Sequence, residues 1–459
     1  LPHYAYRLNS LFLDREYAPL ALDAAFGRSV AEICSGLVRY AKVSETSKIA
    51  GQFALPSGIG SIDSLVAGAA IRQALRFLEQ NQRWIDEQHL AICRIPAPTF
   101  HERARAEWFL DQLASFGLAS RIDKAGNVLA SPCEMPKSAP LVVLSAHLDT
   151  VLAPTSPDQI ESCHGKLKGP GVSDNGAGLA ALIAIARAYA EQPFIEEKAY
   201  PLFVANVGEE GEGNLSGMRF LCRPSPLMSR VRSLIILDGP STDHITSEAL
   251  ACRRFDLVAS GPGGHSWADH GTANPIHALA RLITAFIELR SGRAEKPRCS
   301  YNFGVIDGGS TVNAIPSSAR TKVDLRSIDP EALDHMVEDL AAAADVALSQ
   351  ENRHAAGRIA LSMRETGSRP GGRLEETANI LSYVRAVDRH LGIRSWPDCA
   401  STDANIPLSL GAEAISIGAG GSGGGAHTPS EWYSNAGRLL GLRRIVLLLS
   451  LLLTDAAQQ

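Results

Sequence analysis

At 459 residues the chain is too long for one ordinary hydrophobic core, and 45% hydrophobic with 20% charged residues describes a globular protein of two domains. A formal net charge of -5, with no block of Lys and Arg, argues against a nucleic-acid partner, whose phosphates demand a basic face. The eight cysteines stand singly, without a CxxC pair, which predicts a reduced, cytoplasmic protein and argues against a cysteine-cage zinc site.

Residues 1–65 carry no chemical motif and are read as an extension without an assigned role. His3, Arg7, Asp14, Arg15 and Glu16 among the apolar residues do not make a signal peptide. From Ser64 to about Ile95, Leu65, Ile71, Leu75, Leu78, Trp84 and Ile85 recur at helical spacing until Pro96 and Pro98 stop the pattern. Four short apolar runs follow, Leu141–Ser145, Leu202–Val207, Leu234–Leu237 and Ala414–Ile417, of the kind buried on both faces of a largely parallel sheet. Leu179, Leu182, Ile183 and Ala186 predict a helix between the first two.

Between about Arg253 and Arg364 the character changes. Phe255–Ser260, Ser300–Ile306, Thr321–Arg326 and Arg358–Met363 read as strands, with helices over Pro275–Arg290 and Pro330–Leu348. That order, βαββαβ, is the ferredoxin-like arrangement. The expected fold is therefore α/β: a mixed, mostly parallel sheet flanked by helices (66–250 and 365–459) with an inserted ferredoxin-like α+β lid domain (251–364). The run Ile445–Leu453 is about half a membrane span and predicts a buried terminal helix, so no membrane partner is expected.

Each predicted strand of the first domain runs into candidate metal ligands: His147 and Asp149, Glu209 and Glu210, Asp238, and, through a glycine run, His427. Asp174 sits in the loop before the predicted helix. In open α/β sheets ligands bind at the carboxyl ends of the strands, so these groups converge there. Two histidines and five carboxylates in one crevice repel strongly without a cation. Imidazole and carboxylate without thiolate suit zinc, with cobalt or manganese as substitutes. Seven residues exceed the three protein ligands of one catalytic zinc, whereas two metals sharing a bridging carboxylate use five and leave two carboxylates for catalysis.

Singly, each residue has a plainer reading. The histidines suit a structural role, Asp174 a helix N-cap, Glu209-Glu210 an exposed acidic turn, and Asp238-Gly239 turn chemistry. It is their coincidence at four strand ends that argues for a metal site. The run Gly418–Gly424 also fits the GxGxxG and GxSxG patterns, but His427-Thr428-Pro429 stands where both motifs need a helix.

Five segments in order, His147-Leu148-Asp149-Thr150-Val151, Gly171-Val172-Ser173-Asp174-Asn175-Gly176, Glu209-Glu210-Gly211, Leu237-Asp238-Gly239 and Ala426-His427-Thr428, resemble the co-catalytic zinc hydrolases of the peptidase T and carboxypeptidase G type. That group includes aminoacylases and desuccinylases. The segment Gly261–Trp267 looks nearest to peptidase T-like members.

The resemblance implies two zinc ions bridged by Asp174, one completed by His147 and Asp238, the other by Glu210 and His427. It implies Glu209 as the general base acting on a bridging water, Asp149 as the group that orients His147, and a cis peptide placing Asn175. His265 resembles the lid histidine that binds the developing oxyanion and, in dimeric relatives, reaches the partner's site, which implies a homodimer through the lid. Asn313 and Arg326 match lid positions that contact substrate, and the backbone around Gly424 is suited to a substrate terminus. Trp267 and Trp432 are expected to narrow the pocket. The expected activity is that of a di- or tripeptide aminopeptidase on small peptides. An N-acyl amino acid deacylase shares the whole metal set and stays open, as does, more remotely, a non-catalytic binding protein.

Overall fold

The computed structural model describes residues 61–194, 198–291 and 298–455. The extension expected over 1–65 thus lies almost wholly outside the described residues. The helical pattern after it resolves into three helices, α1 (Ile62–Ala67), α2 (Ala69–Gln80) and α3 (Gln82–Arg94). Gly68, at φ -60 and ψ 139, breaks the first pair, and Asn81 breaks the second while donating its side-chain N–H to the carbonyl of Phe77. Apolar spacing continues across both breaks, which is why periodicity alone joins them.

Thirteen strands form the two principal sheets. In chain order they begin β1 (Ala119–Ile122), β2 (Val128–Ser131), β3 (Leu141–His147), β4 (Tyr200–Asn206), β5 (Val231–Leu237) and β6 (His244–Ala249). They continue β7 (Ala251–Ser260), β8 (Cys299–Gly308), β9 (Ser318–Ser327), β10 (Ala360–Arg369), β11 (Gly372–Arg373), β12 (Trp396–Ala400) and β13 (Glu413–Ile417).

The first sheet has the order β1-β2-β4-β3-β5-β13-β6-β11, with β12 also paired to β6. Its centre, β4-β3-β5-β13, is parallel, as the doubly apolar runs predict. The pairs flanking that centre are antiparallel, apart from β12, which runs parallel to β6. All seven residues of β3 are buried. Helices α4 (Gly176–Glu191) and Arg438–Thr454 pack on β3 and β4 and supply much of that cover. No helix among the described residues is long and apolar enough to cross a membrane.

The second sheet, β8-β9-β7-β10, is antiparallel throughout and completes the βαββαβ order with helices Pro275–Arg290 and Pro330–Asn352. Both helices begin with proline at their first position behind a capping side chain, Asn274 and Asp329. Along β9, Ala319, Thr321, Val323 and Leu325 are buried, while Arg320, Lys322, Asp324 and Arg326 alternate with them on the opposite face. Val323 and Leu325 pack with Leu257, Leu282, Phe286, Met336 and Leu340 as a separate apolar core, and Ala319 joins Ala259 and Leu279 in a smaller one.

A third, four-stranded antiparallel sheet joins Glu161–Cys163, Lys166–Lys168, Ser422–Gly424 and Trp432–Ser434. It absorbs the glycine run. A Cβ on Gly423 would lie 2.3 Å from Oγ of Ser173, so the run answers a need for close backbone approach. The seven cysteines among the described residues are all free thiols.

Candidate metal centre

Three strands of the parallel centre deliver the ligand candidates to one end of the sheet. β3 ends on His147, β4 leads within four residues to Glu209 and Glu210, and β5 leads directly to Asp238. His427 arrives from the loop between Ser422–Gly424 and Trp432–Ser434, at φ 65, a left-handed backbone rare for a residue with a side chain. Asp174 lies between them. Its Oδ1 is 3.1 Å from Nε2 of His147 and its Oδ2 is 3.1 Å from Nε2 of His427. One carboxylate therefore faces two imidazoles, one through each oxygen.

The remaining candidates close the ring. Oε1 of Glu210 lies 2.9 Å from Nε2 of His427, and Oδ1 of Asp238 lies 4.0 Å from Nε2 of His147. The N-cap role falls to Asn175, whose side-chain oxygen accepts from Gly178 N–H while its Nδ2 donates to the carbonyl of Leu237. That leaves the Asp174 carboxylate free to face the histidines and ties its loop to the end of β5. The Asp174–Asn175 peptide is cis, where the resemblance places it.

Around this cluster, buried groups fix the loops. Nδ1 of His147 is 3.0 Å from the carbonyl of Asp149, with that residue's Oδ1 farther off at 3.5 Å. The Asp149 carboxylate accepts the N–H of Glu209 at 3.0 Å, the N–H of Glu210 at 2.9 Å and the Thr99 hydroxyl at 2.9 Å. Gly208, just before them, sits at φ 65, where a Cβ would strike the Ser216 hydroxyl at 2.2 Å. Glu431, 2% exposed, accepts three backbone N–H groups, from Gly171, Ser173 and Asp174 at 2.7–2.8 Å, and so holds the loop that carries Asp174.

Titration behaviour in the cluster is that of a carboxylate-rich pocket short of positive charge. Burial, with Asp174 beside it, pushes Asp238 up to about 7. Burial likewise raises Glu209 well above the usual carboxylate range, helped by Glu210 and opposed by Arg369. Asp174 is lowered, because the two histidine contacts outweigh its burial. Hydrogen bonds to Asp174 and Glu210 raise His427 to about 10. Burial alone would lower His147, but Asp149 and Asp174 outweigh it and raise it well above an ordinary imidazole. A cluster that draws protons onto its imidazoles and two of its carboxylates is one that cations would neutralise.

The donor set fits a metal on chemical grounds. Ligand atoms of His147, Asp174 and Glu210 all lie within 4.8 Å of one another, they are imidazole and carboxylate, and no thiolate is among them.

A cleft opens over this cluster, lined by Asp174, Glu209, Glu210, Asp238 and His427 below and by Arg254, Arg326 and Arg369 beside them. Arg254 and Arg326 both donate to Asp324, at 3.0 and 2.6 Å, from the open face of the second sheet. The other lid candidates stand elsewhere. His265 is exposed, its Nδ1 accepting from the N–H groups of Trp267 and Ala268, and it pairs across from Ala314 next to the exposed Asn313. Neither they, nor Gly424, nor Trp267 and Trp432 are among the residues lining the cleft. Gly424 backs onto the Trp432 ring, where a Cβ would meet it at 3.0 Å.

Three residues of this neighbourhood carry no sequence signal of their own. Arg369 ends β10 of the second sheet and donates from Nη1 to Oε1 of Glu209 at 2.8 Å. Asp403 is fully buried and accepts from Asn206 Nδ2 at 2.6 Å; burial pushes it up to about 6. Glu431 could have been suspected only as an acidic residue four positions beyond His427.

Known proteins bear on this arrangement in two ways. Residues 127–253 match the family described as peptidase family M28, and residues 253–352 match the family described as peptidase dimerisation domain. A fungal protein named Probable carboxypeptidase, from Ajellomyces capsulatus, is 26% identical over 266 residues, 52% of this chain and 59% of its own length. Succinyl-diaminopimelate desuccinylase of Paracoccus denitrificans is 29% identical over 190 residues, 39% of this chain and 49% of its own. The match thus spans only about three-fifths of the first relative and half of the second. In structure, the aminopeptidase PepT from Bacillus cereus superposes with a TM-score of 0.62 at 17% identity, covering 82% of this chain and 99% of that one. At that identity the likeness is one of fold.

Proposed function

We propose that this chain, which belongs to the superfamily of co-catalytic zinc peptidases, is a metal-dependent hydrolase of amide bonds in small peptides, of the di- or tripeptide aminopeptidase kind. One observation carries the reading: Asp174 turns one oxygen to His147 and the other to His427, each at 3.1 Å, which is the disposition of a carboxylate shared between two cations. His147, Asp174 and Asp238 would hold one zinc, and Asp174, Glu210 and His427 the other. When bound, such a pair polarises the scissile carbonyl and acidifies water.

The chain's own residues do the rest. Glu209, at the cleft wall beside Glu210, takes a proton from the attacking water and returns it to the leaving amine. Asp149 holds the Glu209 and Glu210 backbone in register with His147, so that base and ligands share one anchor. Arg326, tethered by Asp324 at the cleft, offers a guanidinium to a substrate carboxylate. His265 lies within the match to the dimerisation domain and away from its own cleft, which supports a homodimer in which each lid serves the other protomer's site. Residues 251–364 act as that lid on the sheet formed by 66–250 and 365–459, and the setting is the cytoplasm.

The desuccinylase match favours a second reading, an N-acyl amino acid deacylase. Hydrolysis of a tripeptide with a free amino end is compared with its N-acetylated twin, with zinc and then with chelator. Chelator-sensitive cleavage of the free peptide alone supports the aminopeptidase. Release of acetate from the twin moves the protein to the deacylases. Inertness toward both substrates removes the hydrolase reading.

A further inference from the structure

We infer that Arg369 is a positioning residue for the general base, holding one oxygen of Glu209 so that the other faces the cleft; the inference rests on the reading of Glu209 as that base. Arg369 is the last residue of β10, paired to Cys252 of β7, so it belongs to the second sheet. Its side chain nevertheless ends at the loop after β4, in the first. Nη1 donates to Oε1 of Glu209 at 2.8 Å and to the Ser401 hydroxyl at 3.1 Å, and Nη2 donates to the carbonyl of Glu209 itself.

Burying a guanidinium is costly unless its partners are well placed. Here both side chains are nearly inaccessible, at 5% for Arg369 and 6% for Glu209. Nε of Arg369 has no hydrogen-bond partner among the described residues. Two of its other donors converge on a single residue, taking both the carboxylate and the backbone carbonyl of Glu209.

The consequence for Glu209 is specific. Its N–H is held by Asp149, and its carbonyl and Oε1 by Arg369. Among the described residues no protein group donates to Oε2, and Glu209 lines the cleft. A free carboxylate rotates broadly about its last torsion, whereas a fork on one oxygen and the carbonyl selects one orientation. Two further cations of the second sheet grip the same loop, Arg254 on the carbonyl of Gly211 and Lys322 on the carboxylate of Glu212. Lid placement and base orientation are therefore one mechanical unit.

The test uses the full zinc-loaded chain and a tripeptide that it cleaves, with kcat, KM, zinc content and melting temperature measured for Arg369→Met, Arg369→Lys, Glu209→Gln and the Glu209→Gln/Arg369→Met double variant. Arg369→Met should lower kcat about 100-fold, within the range of general-base contributions, with KM and zinc content little changed. Arg369→Lys should fall between it and the wild type, because it can keep one of the two bonds. In the Glu209→Gln background Arg369→Met should cost nothing further, since residues that act as a unit are not additive.

A comparable further loss in that background would overturn the inference, as would a rise in KM alone, which marks a substrate anchor. Should Arg369→Met not fold, Arg369→Lys carries the test, and full kcat in it also overturns the inference. A wild type inert toward every amide substrate would remove the base itself; an active wild type with additive losses would remove only the role of Arg369.

Discussion

Replacing Glu431 by glutamine tests how the Asp174 loop is held, because it changes charge and one set of hydrogens while keeping shape. One oxygen of Glu431 accepts the N–H groups of Ser173 and Asp174, at 2.7 and 2.8 Å, and the other accepts Gly171 N–H at 2.8 Å. An amide can keep one side of this grip only. Its NH2 must then face either one N–H donor or two. The better arrangement loses the Gly171 bond, and a hydrogen bond to a buried charge contributes about 1.5–3 kcal/mol. Burial raises the Glu431 carboxyl despite its three backbone donors, so part of that loss is offset by relief of desolvation, and a net cost of about 1–2 kcal/mol is expected.

The functional effect should exceed the stability effect, because the loosened segment carries Asp174, the proposed bridging carboxylate. Loss of a partner behind a metal ligand typically weakens metal affinity about 10–100-fold. Thermal melts in chelator would give the first quantity, and competitive zinc titration the second. A variant that binds zinc as the wild type does, whatever its melting temperature, would refute the argument that Glu431 positions Asp174.

Three more outcomes follow from the same geometry. Glu209→Gln should retain its zinc but lose about 10²–10⁴ in kcat, read by steady-state kinetics alongside metal analysis, and full activity would contradict its role as base. Arg444→Met should destabilise the fold by about 3–5 kcal/mol in denaturant titrations, because Arg444 is fully buried and meets Asp388 through two bonds of 2.7 Å, and its removal leaves that buried charge with only the Ser395 hydroxyl as a side-chain donor. Arg326→Met should raise KM for peptides with a free terminal carboxylate more than for their amides, and equal effects on both would show that the arginine does not read that group.

What the sequence could disclose was set by local pattern. Doubly apolar runs such as Leu141–Ser145 are buried strands in nearly any context, and helix Pro275–Arg290 announces itself through its proline and its Asn274 cap. The ligand candidates were legible because chemistry restricts them to few residue types at strand ends. Short edge strands were not: β1 is mostly exposed, β11 is two residues long, and Ser422–Gly424 is a strand made chiefly of glycine. These exist because neighbouring chain is present to pair with, which no local window contains. Arg369 and Glu431 were missed for the same reason. Their partners, Glu209 and the Gly171–Asp174 loop, lie 160 and about 260 positions away. Gly68 and Asn81 misled in the other direction, interrupting a helix whose apolar spacing runs on.

The central claim, a pair of cations sharing Asp174, is tested most directly by counting zinc bound per chain in the wild type and in Asp174→Asn. Two ions in the wild type, with at least one lost from the variant, is the predicted result. A single ion in the wild type, or two held equally well by both proteins, would contradict it.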